Sequence, residues 1–127
     1  MFFDFLRIMF ACARPAPIIA RDKVVVPGLM GGVLVVNTAC TADRGLETAV
    51  LDREWAHPVE NYKTEEEARA GHAVWVERMK TNPLITKLGY GEHILPEPIL
   101  CVPMTEQEYE IGEQRLQETT VRRDGKE

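Results

Sequence analysis

Apolar residues recur with a helical period in the segment 62–79, which reads YKTEEEARAGHAVWVERM. Steps of four, three and four residues return to one face of an α-helix. The residues at these steps are Ala68, His72, Trp75 and Met79. The pattern predicts a helix that buries this face, with Trp75 as its largest side chain.

Capping residues mark the two ends of this helix. Thr64 and Glu67 have the spacing of a capping box, in which each side chain accepts a hydrogen bond from the backbone amide of the other residue. Pro83 disfavours helical geometry at the residue before it. We therefore expect the main helix over about 64–81.

Strand patterns precede the main helix. Runs of β-branched residues lie at 24–26 and 33–36, and side chains alternate over 46–51 so that one face of that strand is expected to be buried. A shorter strand over 55–62 contains Pro58, which restricts it to a sheet edge. The prediction is an α+β fold, in which the main helix packs on a small antiparallel sheet of three to four strands.

The amino-terminal segment predicts a second, amphipathic helix. Its apolar face consists of Phe2, Phe3, Leu6, Met9 and Phe10. This face either packs on the chain's own core, which is the preferred interpretation, or binds another protein.

The segment that follows the main helix is divided by proline and glycine, which predicts extended pieces that wrap the core and one short strand at 99–102. Thr105 and Glu108 form a second capping box and predict a C-terminal helix. The expected organisation of a single domain, 1–127, is a helix at 1–14, an extended connector at 15–23, a core at 24–104, a helix at 105–120 and a tail at 121–127.

Composition and charge narrow the function classes. The net charge is −5, so nothing indicates nucleic acid or an anionic membrane as a partner. Thirteen acidic and eight basic residues fall in 64–127, the helical half, which is typical of a solvated helix surface. No apolar run approaches the roughly 18 residues that span a bilayer, and the amino terminus lacks the basic start of an export signal.

The three cysteines, Cys12, Cys40 and Cys101, are far apart in the chain. An odd number without CxxC spacing argues against both a disulfide framework and a zinc site. Their apolar surroundings predict small buried side chains in a reducing compartment. No metal or cofactor is indicated.

Two segments together resemble a known group of proteins. They are the strand Glu47-Thr48-Ala49-Val50 and the helix pattern Tyr62-x-Thr64-x-x-Glu67-Ala68-x-x-Gly71-His72. This order is similar to small, uncharacterised bacteriophage-encoded proteins, in which a Glu-Thr-Met-Val-Phe strand precedes a Tyr-x-Thr-x-x-x-Ala-x-x-Gly-His helix. The resemblance covers about residues 33–79 and implies a phage origin and a sheet-plus-helix unit. The related proteins often carry Gly-Leu-Asp-His before the strand, where this chain has NTACT at 37–41, so no role of that aspartate and histidine is transferred.

Gly71 and His72 also have a physical interpretation of their own. Glycine inside a helix costs about 1 kcal/mol relative to alanine, so Gly71 predicts a strand backbone that passes close to the helix. His72 predicts a half-buried side chain that donates to a strand carbonyl, with a ligand or catalytic role as the alternative. Catalysis requires His72 beside Glu67, or His57 beside Asp52, in one pocket.

The sequence contains no nucleophile motif, metal-ligand set or phosphate-binding loop. We therefore expect a non-enzymatic phage accessory protein that binds a host or phage protein in the host cytoplasm, of host-interaction or anti-defence type. The alternative is a virion component, such as a head or tail decoration protein, or another homo-oligomeric assembly. The residues expected to serve structure or binding are Tyr62, Thr64, Glu67, Ala68, Gly71, His72 and Trp75, with the amino-terminal phenylalanine face as a second candidate surface.

Overall fold

The computed structural model describes residues 17–26, 32–42, 44–89 and 93–124. The strands in these ranges are β1 (Ile18–Val25), β2 (Val33–Thr41), β3 (Gly45–Leu51), β4 (Ala56–Tyr62), β5 (Leu84–Leu88) and β6 (His93–Leu100), and the helices are α1 (Glu65–Thr81) and α2 (Glu106–Asp124). The predicted α+β class is confirmed in this general form. The helix expected at 1–14 lies outside the described residues.

The larger sheet is an antiparallel meander in the order β1-β2-β3-β4. β1 begins at Ile18, so the prediction of a connector over 15–23 is wrong in its second half. The strand pattern is not recognisable in the sequence because residues 21–23 are all charged, and an edge strand such as β1 accommodates charged side chains. Its side chains alternate between an acidic helix on one face of the sheet and His72 on the other. β4 is the opposite edge, as Pro58 predicts.

α1 lies across one face of this sheet. The capping box is confirmed, with the Glu67 amide 3.1 Å from Thr64 Oγ1 and the Thr64 amide 3.3 Å from Glu67 Oε1. The predicted inner face is also confirmed, since its four residues are the buried ones of the helix. Trp75 is 2% exposed and packs against β2 and β3 through Leu34, Val36 and Val50.

The smaller sheet completes the same core. β5 and β6 pair as an antiparallel hairpin, and Ile85, Ile99 and Cys101 pack with Trp75. β6 spans His93–Leu100. The predicted strand at 99–102 overlaps it only over residues 99–100, so the prediction placed the strand too far toward the carboxyl end. Two prolines within β6 suppress the strand pattern, and a two-stranded sheet tolerates them because β6 has a free edge.

α2 covers the other face of the large sheet. Val33, Val35 and Leu51 form a second apolar cluster there with Met104, and Tyr109 of α2 packs on it. The central strands are therefore buried on both faces, and the burial predicted for one face of 46–51 extends to the other face as well. α2 continues to Asp124, into the segment expected as a tail.

The cysteine prediction is correct for one position and wrong for another. Cys101 is 1% exposed, and burial, with a smaller contribution from the Asp52 charge, raises the pKa of its thiol to about 12. Cys40 is exposed, because β2 is no longer covered over its last two residues. Cys12 lies outside the described residues.

Candidate functional site

The motif residues of α1 and β3 meet in one buried hydrogen-bonded chain. His72 Nε2 lies 2.7 Å from Asp22 Oδ2, and His72 Nδ1 lies 2.7 Å from Thr38 Oγ1. The Thr38 hydroxyl lies 2.5 Å from Thr48 Oγ1, which accepts from the Tyr62 hydroxyl at 2.9 Å. These five residues, one each from β1, β2, β3, β4 and α1, are thus linked through the space between sheet and helix.

The direction of the hydrogen bonds follows from the chemistry of the two ends. A carboxylate only accepts, so His72 Nε2 donates to Asp22. In a neutral imidazole Nδ1 then accepts the Thr38 hydroxyl, which leaves the Thr38 oxygen to accept from Thr48. Both threonines are fully buried, so each hydroxyl needs a partner within the fold. The chain satisfies every member, which makes it a specific connection between α1 and the sheet.

His72 is more buried than the sequence predicts, and its partners are different. It is 5% exposed rather than half-exposed. It bonds a threonine hydroxyl and an aspartate carboxylate instead of a strand carbonyl. The backbone groups of β1 and β2 already pair with each other, so only side chains remain as partners for the ring.

Gly71 is required by a side chain and not by the strand backbone that the sequence predicts. A Cβ at Gly71 would clash with Cε1, Cζ and the hydroxyl oxygen of Tyr62. Because the helix has no side chain at this point, the Tyr62 ring packs directly on its surface and its hydroxyl reaches Thr48. Burial, with a further contribution from the Glu60 charge, raises the pKa of Tyr62 to about 12, so the phenol keeps its proton as a donor.

Glu60 forms the second end of this network. Its Oε1 accepts the Trp75 indole N–H at 2.9 Å and lies 3.1 Å from the Tyr62 hydroxyl, whose one proton is shared between Glu60 Oε1 and Thr48 Oγ1. Glu60 lines two clefts, one of about 280 Å³ toward Lys87 and Gly89, and one of about 470 Å³ toward α1. The network therefore runs from Asp22, which is 57% exposed, to a carboxylate at the surface on the other side of Trp75.

A second polar cluster lies at the turn between β3 and β4. Asp52 is 2% exposed; its Oδ1 accepts the amides of Glu54 and Trp55 at 2.8 Å each, and its Oδ2 accepts the amide of Val102 at 3.1 Å. His57 Nε2 donates to the same Oδ2 at 3.0 Å. Burial alone raises the pKa of Asp52, but the hydrogen bonds from His57 and the two turn amides outweigh it, so its pKa lies below the ordinary value.

The remaining predicted residues have structural positions. Thr64 and Glu67 cap α1, Ala68 is fully buried beneath it, and Trp75 belongs to the core. The phenylalanine face at the amino terminus lies outside the described residues.

Sequence reasoning missed Asp22, Thr38 and Glu60. A signal existed for Thr38, which is polar at an inward position of an otherwise valine-rich strand; the other two are charged residues on edge strands and carry none.

Of the two catalytic pairs considered from sequence, one forms in the structure and the other does not. His72 pairs with Asp22 and not with Glu67, whereas His57 does pair with Asp52. Asp52, His57 and the His72 ring are buried, Asp22 is exposed, and the hydroxyl beside His72 belongs to the fully buried Thr38. Within the described ranges, no three His, Cys, Asp or Glu side chains gather as metal ligands.

Comparison of the chain with protein-family models, with curated proteins and with solved structures returned no match. Neither helix of the described part of the chain is both long and apolar enough to cross a membrane.

Proposed function

We propose that this chain is a non-enzymatic phage accessory protein that acts in the host cytoplasm by binding another protein, of the host or of the phage. The observation that carries the proposal is an exposed tryptophan on a rigidly held turn. The similarity of residues 33–79 to small phage-encoded proteins supports the phage origin.

Trp55 is 61% exposed, in contrast to the buried Trp75. Tryptophan is the residue that most often contributes large binding energies at protein interfaces, because it buries a wide apolar area and loses little side-chain entropy. A single exposed apolar residue is ordinary on a protein surface. The surroundings of Trp55 distinguish it from that ordinary case.

The turn that bears Trp55 is held from several sides. Asp52 bonds the Trp55 amide through one oxygen and the Val102 amide through the other. The Arg53 amide donates to the Val102 carbonyl at 2.8 Å, and the Arg53 side chain pairs with Glu108 of α2 at 3.1 Å. A turn held in this way loses little conformational entropy when a partner binds.

The segment that Asp52 and Arg53 bind carries further exposed apolar side chains. Val102 is 37% exposed, and Leu100, two residues earlier in the same extended segment, is 58% exposed. Side chains two residues apart in an extended chain share a face. We therefore define the Trp55 surface as Trp55, Leu100 and Val102, and assign the protein partner to it.

The geometry of the two histidines supports a non-enzymatic role. Both ring nitrogens of His72 are used inside the fold, and the Asp52 carboxylate beside His57 accepts four hydrogen bonds. A general base must reach a substrate proton within hydrogen-bond distance. These groups instead hold the elements together.

The test compares tagged parent protein with Trp55→Ala and with Val74→Ala in lysate of phage-infected host cells. Val74 is 54% exposed on α1 and serves as the matched apolar control. We expect one partner that the parent and Val74→Ala enrich equally and that Trp55→Ala recovers more than about tenfold less, the loss typical of an interface hot spot. Equal melting temperatures of the three proteins are the control for folding.

Equal recovery of every protein by the parent and Trp55→Ala would contradict the proposal. Mass spectrometry of purified phage particles tests the alternative function: the chain in stoichiometric amount in particles would make it a virion component, with the Trp55 surface facing a neighbouring virion protein.

A further inference from the structure

Glu60 differs from the other carboxylates of the fold in the kind of donor that holds it. Among hydrogen bonds between described residues, every other carboxylate that accepts from a side chain accepts from at least one arginine, lysine or histidine. Examples are Glu113 with Arg21 and Asp22 with His72. Glu60 alone in this set accepts from no basic side chain; its side-chain donors are the Tyr62 hydroxyl and the Trp75 indole. Its negative charge is thus oriented but not balanced.

Both donors bind the same oxygen of Glu60. Tyr62 and Trp75 meet Oε1, and no side chain of the described residues donates to Oε2. No lysine or arginine in the described ranges lies within ion-pair distance of this carboxylate, although Lys87 lines the smaller cleft beside it. The second oxygen of this carboxylate can therefore accept a charge-assisted hydrogen bond, which a cation from outside would supply.

The larger cleft beside Glu60 has a volume of about 470 Å³ and an open mouth. Its lining residues are Glu60, Asn61, Tyr62, Lys63, Glu67, Ala70 and Gly71. The charges of Lys63 and Glu67 offset each other, and Glu67 Oε1 is occupied by the capping box. The net charge of the lining residues is therefore negative, and it is the charge of Glu60.

Two glycines let neighbouring groups pack closely around Glu60 and Tyr62; Gly71 lines this cleft and Gly89 lines the smaller one. Gly71 leaves the floor open for the Tyr62 ring, and a Cβ on Gly89 would lie 2.6 Å from the Glu60 backbone nitrogen. The hairpin loop after β5 thus packs against the backbone of Glu60 while the helix packs on Tyr62. Backbone and side chain of Glu60 are both positioned before any ligand arrives, which lowers the entropy cost of binding.

We propose that Glu60 is the binding residue of a site for an organic cation, an ammonium or guanidinium group, in this cleft. The cation bonds Oε2 while Tyr62 and Trp75 hold Oε1. Two sources have this chemistry, a lysine or arginine side chain of a protein and a free polyamine. The site is separate from the Trp55 surface and does not depend on it.

The experiment follows the Trp75 indole N–H and the Gly71 amide in ¹H–¹⁵N spectra of the full chain during titration. The probes are Nα-acetyl-lysine amide, Nα-acetyl-arginine amide and putrescine, with Nα-acetyl-norleucine amide as the uncharged control. Glu60→Gln keeps an oxygen for Tyr62 and Trp75 but removes the charge. Glu66→Gln removes an exposed charge of α1 outside the lining and is the matched control.

We expect saturable shifts of both signals with at least one cationic probe, and none with norleucine amide. Glu60→Gln is expected to weaken binding about tenfold or more, the range of a charge-assisted hydrogen bond. Glu66→Gln and Trp55→Ala are expected to bind like the parent. Binding of a capped amino acid assigns a protein side chain as the source, and binding of putrescine alone assigns a free polyamine.

Three results would overturn the site: no shift with any cation, equal shifts with norleucine amide, or unchanged affinity in Glu60→Gln. If Glu60→Gln proves unstable, an anionic probe, Nα-acetyl-glutamate amide, is titrated into the parent protein instead. Binding of this probe as tight as that of the lysine probe would refute the proposal. None of these results depends on the partner of the Trp55 surface, so the two proposals fail independently.

Discussion

Some side chains of this protein stabilise its core and others are exposed at its surface. The two tryptophans show this difference most clearly. Trp75 is 2% exposed, packs in the main cluster and donates its indole N–H to Glu60, while Arg78 stacks 4.3 Å from its ring centroid. Trp55 is 61% exposed. The same residue type thus stabilises the fold at one position and is available for binding at the other.

Trp75→Ala is expected to lower the free energy of unfolding by about 3–5 kcal/mol, from lost burial and from the cavity that remains. Trp55→Ala is expected to change it by less than about 0.5 kcal/mol, as for most surface substitutions. Urea denaturation followed by circular dichroism measures both. A Trp75→Ala protein with the midpoint of the parent would show that the core is not built around α1.

Gly71→Ala tests the contact between Tyr62 and the helix. In an open helix this change stabilises by about 1 kcal/mol. Here we expect it to destabilise, because the new methyl group displaces a ring whose hydroxyl is bonded to Thr48. In a Tyr62→Ala background the same change should become stabilising. Denaturation midpoints of the four proteins form a double-mutant cycle, and additive effects would refute the contact.

At the scale of elements, the central sheet is covered by two layers that attach to it differently. α1 is held by apolar packing and by the buried chain through His72. α2 carries few buried residues and is held at its margin by ion pairs with β1. One of them, Arg21 with Glu113, is mostly buried, and the other, Lys23 with Glu106, is largely exposed.

The two glutamates of α2 offer a matched comparison. Glu113→Ala removes the acceptor of a partly buried Arg21, whose shortest contact is 2.6 Å, and should destabilise by about 1.5–3 kcal/mol. Glu106→Ala removes an exposed partner of Lys23 and should cost no more than about 1 kcal/mol. Hydrogen exchange of α2 amides, with denaturation midpoints, measures both. Equal effects would mean that α2 is not held through Arg21.

For the whole molecule, Asp52 links three separate parts of the chain: the turn after β3, the strand that carries His57, and the segment after β6. Its pKa is lowered from an ordinary value of 3.8. Stability from a carboxyl with a lowered folded pKa is present above its unfolded pKa and is lost as the pH falls through the folded value. The hydrogen bonds that Asp52 accepts therefore stabilise the folded protein at neutral pH, and this stabilisation is lost in acid.

Asp52→Asn should destabilise at pH 7, because the new amide nitrogen only donates and can accept neither the Val102 amide nor the His57 ring N–H. The difference in stability between variant and parent should shrink as the pH falls below the ordinary value of 3.8, and should be lost as the pH passes the lowered pKa of Asp52 in the folded protein. Denaturation midpoints from pH 7 to pH 2.5 measure this. Glu97→Gln, on exposed β6, is the control. A gap that stays constant with pH would exclude the charge as the cause.

Local signals determined several elements of this protein without tertiary information. The main helix could be predicted because its capping box and its inner face are contained in adjacent turns of one segment. The edge position of β4 follows from Pro58, which lacks a backbone donor. In both cases the physical cause lies within a few residues of its effect.

Only the tertiary structure decided the candidate sites. Asp22 and His72 are 50 residues apart in sequence, as are Asp52 and Val102, and no local pattern relates them. β1 was concealed because its charged residues bond α2 and α1, which the chain places there only on folding. Glu60 is an ordinary edge-strand glutamate in sequence. It becomes a distinctive carboxylate only where Tyr62 and Trp75 converge on one of its oxygens, while no basic side chain among the described residues reaches the other.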